Sequence, residues 1–261
     1  MTVNLKKPGF MYGFLLCIPL LLGWPDLTYG KNDPNLKKSA NLGSTLILLD
    51  GTASLVGKDS RKIRMLSAGD VVLPGQRFRT GLKARAALKF ADGTFLRLDE
   101  ITTCELKTLE VDKTFGRRNI TIYLFSGNVW LFIPATFKGK RGVVVEMPGG
   151  VVEADRSTFR IGVYADKSTI LKVYRGSVYI HSPDTSKDMK RKASKNQIES
   201  QPGLEQRRGR VKKRWSYFVK PMHQILVRPD GTASKPFRFM RKPDTNQWVL
   251  WNQQLDKEVG N

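Results

Sequence analysis

Two residue types that much enzyme chemistry depends on are nearly missing. The 261-residue chain has two Cys, Cys17 and Cys104, and two His, His181 and His223. Two thiols cannot build the multi-bridge framework of a small secreted scaffold. Neither His has Cys, His or carboxylate neighbours at metal-ligand spacing, so each reads as a strand-edge residue. Acids are short too: 23 Asp+Glu stand against 45 Lys+Arg, a formal charge of +22. No Gly-x-Ser-x-Gly elbow, P-loop or dinucleotide fingerprint occurs. Asp70, Asp92, Asp99 and Glu100 could be imagined as paired glycosidase acids. Yet Asp70 and Asp92 sit in Gly-Asp and Asp-Gly turns, which account for them without catalysis. The expectation is a folded, basic protein that is no enzyme, with no catalytic residue, metal or cofactor.

What is present begins with an export pattern. Lys6 and Lys7 precede an apolar stretch of about 15 residues, Phe10 to Trp24, and Thr28-Tyr29-Gly30 supplies the small residues of a cleavage site. A membrane-spanning helix needs about 20 apolar residues, and Pro19, Gly23 and Pro25 interrupt this run. Residues 1–30 thus read as a signal peptide, with an uncleaved inner-membrane anchor as the alternative. Leu16 before Cys17 does not fit a lipidation site. Cys104 is then the one thiol left after cleavage; it alternates with Thr102 and Leu106 on one strand face and reads as a buried structural thiol.

After a flexible segment over 31–42, residues 43–183 form a series of short β-type runs. Thr45–Leu49, Ile63–Leu66, Ala84–Phe90, Phe95–Leu98, Ile120–Phe125 and Val129–Ile133 are rich in branched, aromatic and alternating residues. So are Val143–Met147, Phe159–Tyr164, Thr169–Tyr174 and Val178–His181. Asp-Gly, Pro-Gly, Ser-Gly and Arg-Gly turns separate them. The spacing predicts an all-β fold: one main unit of many short strands, a twisted sandwich or a short β-solenoid. Two echoes, Phe125-Ser-Gly127-Asn-Val129-Trp130 and Tyr174-Arg-Gly176-Ser-Val178-Tyr179, read as tight turns feeding strands, with Gly supplying positive φ. Asp50-Gly-Thr-Ala-Ser54 recurs as Asp230-Gly-Thr-Ala-Ser234 and reads as repeated hairpin chemistry, since a calcium loop would need more acids.

Residues 184–214 hold eleven Lys/Arg against four acids and almost no large apolar residue, so they read as a disordered basic linker or insert. Residues 215–261 read as a C-terminal β extension of four more strand-like pieces docked on the main unit, because about 45 residues is near the lower limit for a separate core.

From Gly51 to Val178 the residues resemble the FecR domain of bacterial envelope proteins. The likeness runs through Gly51-Thr-Ala, Leu66-x-x-Gly69-Asp70-x-Val72-x-x-Gly75 and Arg79-Thr80-Gly81-x-x-Ala84-Arg-Ala86. It continues through Leu88-x-Phe90-x-Asp92-Gly93-Thr94-x-Leu96-x-Leu98, Leu124-x-x-Gly127-x-Val129, Val144, Pro148 and Leu171-x-Val173-x-x-Gly176-x-Val178. One departure is Arg156-Ser157-Thr158-Phe159, where the family shows Arg-Gly-Thr and then Phe. The resemblance implies a periplasmic β domain. The sigma-factor regulators that name the family carry a cytoplasmic helical segment before a membrane helix; only about nine residues precede the apolar stretch here, too few for a folded cytoplasmic module.

The charge is the other functional signal. Lys190, Arg191, Lys192, Arg207, Arg208, Arg210, Lys212, Lys213 and Arg214 form a long-range attractor for polyanions, and Trp215 adjoins the last cluster as a stacking surface. The competing reading is a plain solvated linker. Export argues against nucleic acid, since envelope polyanions are mainly lipid and acidic polymer. Two functions remain. One is an exported binding or scaffolding module, in the periplasm or at the cell surface, for an envelope protein or a peripheral anionic surface. The other is a periplasmic signalling element of a membrane-linked sigma-factor pathway.

Overall fold

The computed structural model describes residues 44–57, 63–112, 114–135, 142–183, 214–240 and 244–260. The expected signal peptide, the 31–42 segment and the basic stretch up to Lys213 lie outside the described residues. Among the described residues no helix is long and apolar enough to cross a membrane.

Among the described residues seventeen strands join into one open sheet, organised by the longest of them, β9 (Arg117–Phe132). Residues 117–126 of β9 pair with β8 (Thr103–Asp112), and residues 120–123 pair with β10 (Val143–Met147), the one parallel pairing among the described strands. These belong to a first wing that runs in the order β3 (Ile63–Met65), β2 (Ala53–Val56), β5 (Gln76–Thr80), β8, β9, β10, β11 (Gly150–Ala154), β14 (Val178–His181) and β15 (Ser216–Val219). Residues 127–132 of β9 then pair with β7 (Phe95–Leu98) and β12 (Thr158–Val163). They lie in a second wing ordered β4 (Val71–Val72), β1 (Ser44–Asp50), β6 (Arg85–Lys89), β7, β9, β12, β13 (Thr169–Arg175), β16 (His223–Val227) and β17 (Phe237–Arg238).

Both wings feed one core. Leu46, Leu88, Leu96, Phe159, Leu171 and Ile225 of the second wing share a single buried cluster with Phe78, Leu106, Ile122, Val145, Val152 and Ile180 of the first. Alternation explains it: along β9, Ile120, Ile122 and Leu124 are fully buried while Thr121, Tyr123 and Phe125 are not. Burying a Leu or Ile of this kind contributes about 1.5–3 kcal/mol. Cys104 is part of this cluster and fully buried, and burial pushes its thiol far above the ordinary value. The all-β reading holds, as one large open sheet of many strands.

Two local readings change. Ile120–Phe125 and Val129–Ile133 are not separate strands, and Phe125-Ser-Gly127 is no turn; Gly127 sits inside β9 at φ +93°. A Cβ there would meet the Thr102 Cα at 2.5 Å, and the Thr102 hydroxyl is bonded on both sides to residue 128. The glycine is needed where β9 leaves one wing for the other. Gly176, at φ +72°, does lie in the turn from β13 to β14, pressed against Arg156 and Ser157. Just before Ser157, which stands where the family pattern has glycine, Arg156 adopts φ +43°.

Among its described residues the C-terminal extension holds three strands, β15 to β17, and then a helix, α1 (Gln247–Gly260), where residue type predicts strand. Asn246 caps it, its side-chain oxygen accepting from Val249 N–H at 2.8 Å. The buried stripe of α1 is Trp248, Val249 and Asn252, with Asp256 one turn on. Its polar members hide the 3.6 period from an apolar pattern.

Gly127→Ala is expected to lower unfolding free energy by about 3 kcal/mol or more, because it combines a positive φ with backbone overlap. Guanidinium unfolding checks this; a loss under about 1 kcal/mol, the ordinary effect of a point substitution, contradicts it.

Candidate binding faces

The outer faces of the two wings differ in kind. On the first wing the register lines up Arg77, Glu105, Tyr123 and Glu146 on adjacent strands, and Glu153, Tyr179 and Phe218 in the next row. The side chains contact one another across the sheet. Arg77 pairs with Glu105 at 3.2 Å and stacks over Phe125 at 4.0 Å. Lys107 pairs with Glu146 at 2.6 Å and lies 5.5 Å from the Tyr123 ring. Tyr123 and Phe125 are in ring contact at 4.5 Å, and Tyr179 and Phe218 at 4.9 Å. Phe218 is 72% exposed, on β15, which pairs with β14 alone among the described strands.

At that edge Tyr179, His181, Ser182, Arg214, Trp215 and Ser216 line a shallow cleft. His181 Nδ1–H donates to Ser182 O at 2.8 Å, and its Nε2 lies 3.4 Å from Glu153. Of the sequence-derived contact residues, Arg214 is exposed beside this cleft. Trp215 is half-buried: its indole N–H donates to Gly231 O at 2.8 Å, and its ring packs on the core and against Tyr217. Lys190, Arg191, Lys192, Arg207, Arg208, Arg210, Lys212 and Lys213 lie outside the described residues.

The second wing carries a different row. Register places Arg97, Trp130, Arg160 and Lys172 directly opposite one another on β7, β9, β12 and β13. Like charges facing across strands repel, and two acids from the end of the chain answer them. Asp256 of α1 accepts from Arg97 at 2.5 Å and from the Trp130 indole at 3.0 Å. Asp244, just before α1, accepts from Arg160 at 2.7 Å, Lys172 at 2.5 Å and the Tyr174 hydroxyl at 2.5 Å. Trp130 stacks on Tyr174 at 4.4 Å and meets Trp248 edge-on at 6.2 Å, making a small core apart from the main one. Burial pushes the Tyr174 hydroxyl up, and Asp244 adds to this, so it stays a donor. Sequence reading missed this row, since only strand register brings Arg97, Trp130, Arg160 and Lys172 together.

The acids singled out from sequence are held separately. Asp70 accepts from Arg64 at 3.0 Å and Ser67 N–H at 2.9 Å. Asp92 is fully buried: it accepts from Thr94 N–H and hydroxyl and from Arg118 at 2.9 Å, and Arg118 also pairs with Asp155. Burial raises the Asp99 carboxyl above its ordinary value, while Glu100 accepts from Lys83 N–H at 2.7 Å. His223 contacts Pro221 O at 2.9 Å. Among the described residues no group of three or more His, Cys, Asp or Glu could hold a metal ion.

Asp244→Ala is expected to cost about 3–5 kcal/mol, because it strands two cations with little solvent access; a thermal or denaturant midpoint like that of wild type contradicts this. Asp256 gives a pH test. Burial pushes its carboxyl above the usual 3.8, with Arg97 and Trp130 opposing. The folded protein then holds a proton where the unfolded chain has released it, so this group's contribution is fullest below 3.8 and is lost as pH rises through the folded value. Wild type is expected to lose stability relative to Asp256→Asn as pH rises from acid to neutral, and a gain would reverse the sign.

Comparison with known proteins gives one family. The family model described as FecR protein matches residues 76–179. No curated protein matches the chain. Two crystal structures of a candidate anti-sigma factor from Parabacteroides distasonis are similar at 14% identity, with TM-scores of 0.42 and 0.44. The alignments cover 62% and 68% of this chain, and the chain spans 59% and 64% of the length of those two.

Proposed function

The chain is a FecR-domain protein, and on that premise we propose that it is an exported, non-catalytic binding module of the bacterial envelope that docks a protein partner. The observation carrying this is the outer face of the first wing, where Tyr123, Phe125, Tyr179 and Phe218 form an aromatic surface set among the charge pairs Arg77–Glu105 and Lys107–Glu146. Arg and aromatic residues are the side chains that anchor interfaces. The β15 edge beside it offers backbone groups to an added strand. The formal charge of +22 favours acidic partners and holds the protein near anionic lipid or polymer.

A second reading is supported by the FecR match itself: the module serves signalling, passing an envelope stimulus to a membrane-linked sigma-factor regulator. It requires either an anchor at residues 10–24 or a partner that crosses the membrane. A mature N-terminus at Lys31 would leave the partner route alone.

Binding to anionic liposomes or acidic glycan is expected to weaken with salt and to disappear when residues 186–214 are deleted. Unchanged binding after the deletion removes the electrostatic part of the proposal. Partner capture from an envelope fraction is expected to fall at least tenfold for Tyr179→Ala/Phe218→Ala with the fold intact; capture equal to wild type removes the first-wing face.

A further inference from the structure

The row Arg97, Trp130, Arg160 and Lys172 is built like a binding site, and its occupant is the end of the same chain. Three cations stand on one face of three strands around a tryptophan. Arg97 is 1% exposed, and α1 supplies the acceptors it donates to, the Asn252 carbonyl and the Asp256 carboxylate. The neutralising acids, Asp244 and Asp256, are two against three cations, and both come from one short segment at the chain end. That segment contributes to a core of its own, Trp130, Trp248 and Val249, and not to the main cluster.

The occupant fits incompletely. Arg160 Nε, the Trp248 indole N–H and Asn252 Oδ1 are buried with no hydrogen-bond partner among the described residues. All three lie where the tail meets the sheet, and a buried polar group left without a partner weakens the contact it sits in. An interface that strands three polar atoms is held below the affinity its area could give. Burial of Asp256 costs more than Arg97 and Trp130 return, in agreement with this. A helix with the same acidic and aromatic anchors, with a partner for Arg160 Nε and without the tail's own two unpartnered atoms, would bind this face more tightly than residues 244–260 do.

We propose that this face is a docking site for an acidic, tryptophan-bearing helix of a partner protein, and that residues 244–260 close it in the free protein. The site is separate from the first-wing surface, so its failure leaves the function proposed above standing. The partner's chemistry follows from the tail: a carboxylate for Arg97 and the Trp130 indole, an aromatic ring for the Trp130 edge, and a second carboxylate for Arg160, Lys172 and Tyr174. Being tethered, the tail competes at an effective concentration of about millimolar, so a free helix gains access only when it binds better or when the tail is weakened.

The test uses the full chain and a fluorescent synthetic peptide with the sequence of residues 244–260. Its binding is measured by anisotropy against wild type and against two variants altered only in the tail, Asp256→Lys and Trp248→Ala. Both variants leave the sheet residues intact, and cooperative unfolding with β-type circular dichroism confirms the fold of each. The expected result is binding at least tenfold tighter to either folded variant than to wild type. Adding Arg97→Glu and Arg160→Glu to the variant should abolish it, as should replacing the peptide's two Asp with Lys. Equal binding to wild type and variants, or no binding to a folded variant, overturns the proposal.

Discussion

Sixteen consecutive residues in one strand, Arg117–Phe132, constrain the rest of the molecule. A strand of that length runs roughly 50 Å, well beyond the usual strand of five or six residues, and no single layer of this size can follow it. It pairs with β8 and β10 through its first part and with β7 and β12 through its last. The handover happens at Gly127, where a positive φ and contact with Thr102 leave no room for a side chain. Because both wings grow from this strand, they face each other and fill one core, and neither has a hydrophobic face of its own to spare.

That arrangement leaves two outer faces, and the chain treats them differently. The first-wing face balances its own charges within the sheet, Arg77 with Glu105 and Lys107 with Glu146, and keeps its rings accessible. The second-wing face cannot balance itself. Three cations in one cross-strand row would be unfavourable bare, and the chain end supplies the acids, a capped helix and two tryptophans to cover them. One outer face is therefore balanced within its own sheet. The other is balanced by the end of the chain.

Much of this was legible from the residues. Alternation and turn chemistry marked the strands around Leu88, Leu96, Val145 and Leu171, and the Thr102/Cys104/Leu106 face was read as buried, as it is. The blocks around Gly69-Asp70, Arg79-Thr80-Gly81 and Asp92-Gly93-Thr94 carried the family. Local pattern failed in two places. A glycine after a serine reads as a turn, and nothing near Gly127 says that the strand continues, because continuity is decided by pairing on both sides of it. Likewise Trp248-Val-Leu-Trp251 reads as strand by residue type. Its helical stripe runs on through Asn252 and Asp256, whose backbone carbonyl and carboxylate respectively accept from Arg97, 155 and 159 residues away in sequence. The Asn246 cap was a usable signal for that helix. The cationic row was not readable at all, since its members are scattered from 97 to 172 and only register assembles them.

The most direct test of the shared strand is native-state hydrogen exchange on the full chain, resolved by peptide. Amides of Ile120–Leu124 and of Val129–Phe132 are expected to open together, in the slowest unit of the molecule, while those of α1 exchange earlier as a unit of their own. If the two parts of β9 open with clearly different free energies, the wings are separate units and β9 does not organise the fold.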